Sequence, residues 1–341
     1  MDLTTSYLGL TLASPVVASA SPVSQRVEDL KVLERSGVGA VVLHSLFEEQ
    51  IRRQQLADHL VTDQHEEAYG EASSFLPSAP TTAFGGAVPY LEHLERCVRA
   101  VDIPVIASLN GSTPGGWTSI ARSLQAAGAA AIELNIYSVP GDIAMSGREV
   151  EERHLEIVGL VREAVSVPVA VKLSPFFSAT GSMAMALQEA GANGLVLFNR
   201  FLQPEVDIER VAVSPAASLS VRSEARLPRT WIAMLSGHLD LSLAATTGVE
   251  VVDDVIAYLL CGADVVMTAS ALLRHGPAYA AELTSGLEAW LSRKGFSSVD
   301  EIRGLLAVPA DVDPATYERS GYVAALEQAR AVYGDLRAWP S

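Results

Sequence analysis

Residues 128–137, GAAAIELNIY, decide how this chain folds. A Gly-Ala step leads into a short apolar run. The run ends on asparagine and tyrosine, just before a Pro140–Gly141 turn. Polar groups at the tip of a buried strand are costly unless something there binds them. The same arrangement recurs along the chain, each time as a helix-like stretch followed by an apolar strand with a polar end. It is seen in GVGAVVLHS (37–45), IPVIASLNG (103–111), VPVAVKLSP (167–175), GANGLVLFNR (191–200) and GADVVMTAS (262–270). SPVVASAS (14–21) and LSLAATTG (241–248) bring the candidate strands to eight.

These apolar runs are continuous rather than alternating, as parallel strands buried on both faces require. Amphipathic stretches lie between them, among them RVEDLKVLERS (26–36), GWTSIARSLQAA (116–127) and VEVVDDVIAYLL (249–260). Strands alternating with helices imply βαβ units, which are right-handed by default. Eight such units close most simply as an α/β (β/α)8 TIM barrel. A doubly wound open sheet is the alternative, but no GxGxxG follows any strand. Residues 46–90 and 201–228 are too long for plain connections and read as insertions after the second and sixth strands. A breaker stretch, VPADVDP, opens a helical tail over about 307–341 that is expected to pack outside the barrel. A single domain over 1–341 is therefore expected.

Composition narrows the function classes. The chain is 49% hydrophobic, enough for a large core, and carries a formal charge of −16 without any long Lys/Arg block. Nucleic-acid binding is disfavoured on that basis. No apolar run is long enough to span a bilayer, and MDLTTSYLGL lacks the features of a signal peptide. A cytoplasmic protein is the expectation. Cys97 and Cys261 form no metal-ligand or CxxC spacing and read as core thiols. The groupings DQHEE (63–67) and EERH (151–154) also lack metal spacing and read as solvated faces.

In a barrel of this type the active site gathers at the carboxyl ends of the strands. The tips here are Ser19–Ser21, His44 with Ser45, Asn110, Asn135, Lys172, Asn199, Thr246–Gly248 and Thr268–Ser270. One lysine, three asparagines, a histidine and several hydroxyls suit a flat ligand rich in heteroatoms. No carboxylate cluster offers a divalent-metal site. Small-residue turns followed by helix starts after the seventh and eighth strands are placed to hold an anion, although plain βα turns would look the same.

From LASPVVASAS to WLSRKGFSSVDEIRGLL the chain resembles the dihydroorotate dehydrogenase family of FMN-dependent barrels. ELNIYS resembles that family's asparagine-led loop, VAVKLSP its flavin lysine segment and LVLFNR its substrate asparagine. TTGVEVVDDVIAYLLCGADVVMTASALLRHGP resembles its flavin phosphate segment. The resemblance implies FMN as cofactor. Lys172 would stand near the N1/O2 edge of the ring, where a fixed cation stabilises the reduced flavin. It also implies that the backbone around Ser19, Ala20 and Ser21 lies against the flavin and that Asn135 bonds the ring or its substrate, whereas Asn110 either reaches the flavin or shapes its own turn. Thr247, Gly248, Ala269 and Ser270 would hold its phosphate, and Asn199 with Asn135 would meet the substrate.

Two departures stand out against the family pattern. The family's base loop reads roughly Asn-x-Ser-Cys/Ser-Pro-Asn, whereas this chain has Asn135-Ile-Tyr-Ser-Val-Pro140. Ser138 falls on the base position, Tyr137 replaces a small serine, and Pro140 has neither amide side chain nor N–H to offer a pyrimidine. His44-Ser45 stands where the family has Lys-Ser, and a histidine supplies no permanent cation near neutrality. The base is accordingly Ser138, or Tyr137 or His44, or absent.

The resemblance and these departures together imply an FMN-dependent oxidoreductase acting on a small dihydro or unsaturated compound other than dihydroorotate. The expected partners are a small-molecule substrate, a possible separate electron-transfer protein and a second copy in a homodimer. A true dihydroorotate dehydrogenase, a flavin relay or sensor without its own substrate, and a Schiff-base lyase using Lys172 are the alternatives.

Overall fold

The computed structural model describes residues 1–51, 87–111, 117–137, 141–200, 205–214 and 218–334. Eight parallel strands close into a barrel: β3 (Val16–Ala18), β4 (Ala40–Val42), β6 (Val105–Gly111), β7 (Ala131–Ile136), β8 (Val169–Leu173), β9 (Gly194–Leu197), β12 (Ser242–Ala245) and β13 (Val265–Thr268). The ring closes where Val41 and Val42 of β4 pair with Val105 and Ile106 of β6. Each strand lies inside one of the eight stretches singled out in the sequence, and closure excludes the open sheet. The short β5 (Leu46–Phe47) adds to β6 at the ring's rim.

Continuous apolar strands bury both faces, and the two faces pack differently. Outward residues such as Ile132, Leu134 and Ile136 join Leu94, Leu124, Ile157 and Val161 of the surrounding helices in one large core. Inward apolar residues other than Met267 are small or β-branched (among them Val17, Ala40, Val42, Ala131, Ala170, Val196, Ala244 and Val265), as the narrow interior of an eight-stranded barrel favours.

The N-terminal end of the barrel is plugged by a hairpin that the sequence reading did not foresee. Its strands are β1 (Thr5–Tyr7) and β2 (Leu10–Leu12), joined by Leu8 and Gly9, which have φ of 54° and 76°. Two successive positive φ values form the tight turn that suits a hairpin's twist, but leucine there gives no sequence signal. Tyr7, Leu8 and Leu12 fill the interior from below. Thr5 Oγ1 donates to the carbonyl of Asp264 and Leu8 N–H to Ser242 Oγ, tying the plug to the starts of two strands.

The insertion after β9 contains a second hairpin, β10 (Glu205–Asp207) with β11 (Ala212–Ser214), whose Val206, Ile208, Val211 and Val213 are exposed. The tail forms a helix, Pro314–Tyr333, but Tyr322, Val323 and Leu326 on it are exposed rather than packed on the barrel. The EERH grouping departs from expectation too: His154 is buried, its Nδ1 donates to the Val150 carbonyl, and its ring meets Phe177 edge-on. The DQHEE grouping lies outside the described residues. Among the described residues no helix is long and apolar enough to cross a membrane.

Gly39 marks the closest approach of backbone to backbone at the ring. A β-carbon there would lie 2.0 Å from the Ser14 carbonyl oxygen and 3.0 Å from Leu12 Cβ. Relief requires moving the strand start itself, so Gly39→Ala is expected to lower stability by about 3 kcal/mol, the upper end of overpacking costs. Urea unfolding of the purified variant checks this, and an unchanged midpoint would contradict the close approach.

Candidate active site

Strand register sets the site. Asn110 of β6 is level with Asn135 of β7, and Asn135 is level with Lys172 of β8. Three adjacent strands thus raise two amides and an ammonium in one row at the carboxyl end of the barrel. Asn199, just past β9, is fixed by its N–H donating to the Leu173 carbonyl at 2.6 Å. Its Nδ2 donates to Asn135 Oδ1 at 2.7 Å, so the two predicted substrate amides form one unit. Asn135 and Lys172 are both buried, and Asn110 is half-buried.

Two adjoining cavities open here, of about 170 and 390 Å³, sharing Phe198, Asn199, Arg200 and Thr247 in their walls. The smaller is lined by Ser19, Ala20, Lys172, Gly248, Ala269 and Ser270 among others, which brings most of the predicted cofactor residues together. Ser21 is buried beside them as the residue before a short 3-10 turn, and its carbonyl accepts from Ser24.

The turn after β12 has an unusual backbone. Thr247 takes φ 77° and Gly248 φ 71°. A left-handed conformation is unfavourable for a β-branched residue, and such outliers persist only where their surroundings over-determine them. Here Thr247 Oγ1 donates to the Phe198 carbonyl at 3.1 Å. The Tyr258 hydroxyl reaches the carbonyls of Thr246 and Thr247 at 3.1 and 2.6 Å. Gly248 has no room for a side chain: a β-carbon would lie 2.7 Å from the Ala225 nitrogen and 2.8 Å from its Cβ.

The segment from Ser218 to Glu224, within the insertion after β9, straps this turn. Ser220 Oγ lies 2.8 Å from Ser270 Oγ and accepts from the Gly248 N–H at 3.3 Å. Arg274 donates to the Ser220 carbonyl at 2.8 Å, Arg222 pairs with buried Asp254 at 2.9 Å, and Arg200 pairs with Glu224 at 3.1 Å. Nothing in the strand-tip pattern marks Ser220, because the insertion that positions it has no periodicity of its own, and Arg200 closes a strand-tip stretch without being singled out there.

Glu133 was also missed. It faces inward from β7, two residues before Asn135, at 1% exposure, and its Oε1 lies 3.5 Å from Lys172 Nζ. Its one visible signal is a charged residue inside an otherwise apolar strand, hidden in the sequence by the polar tip that follows.

Of the three residues considered for proton transfer, Ser138 lies outside the described residues. Tyr137 is half-buried just after β7, its N–H turned back to the Asn135 carbonyl at 2.9 Å. His44 is buried beneath the rim, with its ring against Tyr90 at 5.1 Å and His93 at 5.5 Å between centroids. It is absent from the walls of both cavities. Burial, and then the neighbouring His93, push its pKa down to about 4, so the ring is neutral near pH 7. Among the described residues no group of three or more His, Cys, Asp and Glu is placed to hold a metal.

Comparison with known proteins gives this arrangement its lineage. The sequence model of the dihydroorotate dehydrogenase family matches residues 81–291. The chain belongs to the dihydroorotate dehydrogenase family. It is 28% identical over 313 residues to the catalytic subunit of dihydroorotate dehydrogenase B (NAD(+)) of Methanothermobacter thermautotrophicus, covering 89% of this chain and 98% of that one. It is 30% identical over 311 residues to the protein of the same name from Methanocella arvoryzae, covering 89% and 98%. The β8 lysine, the paired asparagines and the turns after β12 and β13 are thus set in a dihydroorotate dehydrogenase barrel.

Two outcomes follow from the geometry. Gly248→Ala combines left-handed strain with a collision and is expected to cost about 3 kcal/mol. Gly9→Ala, at a similar φ of 76° with nothing within 4 Å, should cost only about 1 kcal/mol. Equal urea midpoints for the two variants would refute the packing argument. For His44, the folded pKa lies below the unfolded value near 6.5, so the unfolded chain binds more protons between those values. Stability should therefore fall as pH drops from about 6.5 to 4, by up to about 3 kcal/mol, and the loss should level off below that. His44→Asn should flatten this part of the pH–stability curve; a parallel curve would show that His44 is not held neutral.

Proposed function

We propose that the chain is an FMN-dependent oxidoreductase acting on a CH–CH bond of a small ring compound, with dihydroorotate the substrate that the named relatives favour. That is a shift from the sequence expectation, which placed dihydroorotate second. The observation that carries the reading is the shared cavity wall: Lys172 and Asn199 line the same space as the Thr247–Gly248 turn and Ala269–Ser270.

These residues fit FMN. A turn that has no room for a β-carbon at Gly248 and a serine-lined helix start suit a phosphate, and the ammonium of Lys172 suits an electron-rich ring edge. FMN, when bound, supplies a hydride acceptor. The chain's own residues do the rest. Asn135 holds the Asn199 amide in place, which leaves Asn199 Oδ1 and Asn135 Nδ2 to orient a ring carrying both donors and acceptors. Strand-buried backbone excludes water beneath them. Ser138 or Tyr137, in the loop after β7, takes the proton from the substrate carbon; His44, neutral and set back from the cavities, is the weaker candidate. A relative named as a catalytic subunit supports a separate electron-transfer partner, since the two cysteines of this chain cannot hold an iron–sulfur cluster. The exposed valines and isoleucine of the β10–β11 hairpin support a protein contact, as in a homodimer.

A second reading rests on His44. With no permanent cation at the strand-two tip, a substrate whose carboxylate is absent or placed elsewhere would lose nothing there. Anaerobic spectroscopy separates the two. Purified protein, reconstituted with FMN, should be yellow, and dihydroorotate should bleach it within one turnover. Flavin that stays oxidised with dihydroorotate yet reduces with dithionite would select the second reading. A colourless protein that takes up no FMN would overturn both.

A further inference from the structure

Within the barrel lies a buried charge that the reaction outlined above does not use. Glu133 is 1% exposed, and neither carboxylate oxygen has a hydrogen-bond partner among the described residues. Its contact is ionic, with Lys172 Nζ 3.5 Å from Oε1. Alternation along β7 points Glu133 inward with Ala131 and Asn135, one layer below the row of polar tips. Lys172 lines the smaller cavity, whereas Glu133 lines neither. The ammonium therefore stands between the carboxylate and whatever occupies the cavity.

Burying a carboxylate with a single ionic contact is expensive, and an apolar residue would fill a barrel interior of alanine and valine at less cost. What the carboxylate changes is the field above it. A lone ammonium in a low-dielectric wall favours negative charge strongly; an ammonium backed by a carboxylate acts as a dipole whose influence is smaller and falls faster with distance. The reduced form of a flavin carries more negative charge at its N1/O2 edge than the oxidised form, so this difference falls directly on its redox balance.

We propose that Glu133 is a positioning residue that attenuates the positive charge Lys172 presents to the cavity and thereby keeps the reduction potential of the bound flavin low. The inference rests on the flavin reading above and deepens it. Glu133 lines neither cavity and acts through Lys172, by holding Nζ in the cavity wall and by offsetting its charge.

The test is the potential of FMN bound to the reconstituted protein, measured by dye-coupled anaerobic titration. Glu133→Gln keeps the shape and removes the charge, and it should favour reduced over oxidised flavin at least tenfold more than wild type. For a two-electron couple that is an upward shift of about 30 mV. Glu133→Asp keeps the charge and should stay within threefold of wild type. Equal shifts in the Gln and Asp variants would mean that packing rather than charge is responsible, and would overturn the proposal. So would a Gln variant whose flavin titrates as wild type does.

Should Glu133→Gln fail to fold because Lys172 is left buried and unpaired, the double variant Glu133→Gln/Lys172→Gln removes both charges. Its reduced-to-oxidised preference should stay within tenfold of wild type, because a compensated pair has been exchanged for a neutral one. A larger fall would show that Lys172 acts uncompensated, and would end the proposal. Protein that binds no flavin in any form would instead end the functional reading on which it stands.

Discussion

Everything at the carboxyl end of this molecule depends on closure of one parallel sheet. The pairing of Val41–Val42 with Val105–Ile106 turns eight strands into a ring, and a ring leaves no freedom of register. Because side chains alternate with a period of two, slipping any strand by a single residue would turn its polar tip away from the mouth. The row Asn110, Asn135 and Lys172 exists only because three strands are locked level with each other. Small inward residues below that row and a hairpin plug at the opposite end keep the interior filled, so the polar tips stand on a packed floor.

That floor is not wholly apolar, and its charged member shows how a barrel can tune a site from beneath. Glu133 and Lys172 share the interior with alanine and valine, a setting in which each charge would be prohibitive without the other. At the rim the balance is struck differently. His44 stays neutral because burial beside Tyr90 and His93 opposes its protonation, so this corner contributes shape and not charge. The cations in the wall of the smaller cavity are Lys172 of β8 and Arg200 after β9, the latter paired with Glu224.

The ring was legible in the sequence because its signal is repeated eight times and each repeat is short, apolar and ended by a polar residue. All eight strands, the row of tips and the turns after the last two strands could be placed that way. What escaped has a common physical cause: it depends on contacts between distant segments. The β1–β2 plug turns on Leu8 and Gly9 at positive φ, and leucine does not announce that conformation. Ser220 reaches the site through a strap tied to Asp254 and Arg274, which lie more than thirty residues along the chain, and Arg200 is held by Glu224 of the same strap. Glu133 sits in the very strand that reveals the fold, yet its role depends on a neighbour across the sheet at Lys172. His154 looked solvated within an acidic run and proved buried, because helical spacing turned it inward toward Phe177 while its neighbours faced out.

The two halves of the site are under unequal constraint. The turn after β12 leaves almost no choice: Gly248 is enclosed by Ala225, Thr247 is held at an unfavourable φ by hydrogen bonds from two directions, and Ser220 closes over both. A substitution there disturbs backbone, which is fixed by the ring. His44 and Tyr137, just past β4 and β7, bond there through backbone N–H groups, to Ser24 Oγ and the Asn135 carbonyl, which any residue but proline can supply. Exchanging either side chain leaves those bonds in place. The two departures from the family's residue pattern therefore fall where the backbone bonds do not depend on the side chain, and not at the turn where they do.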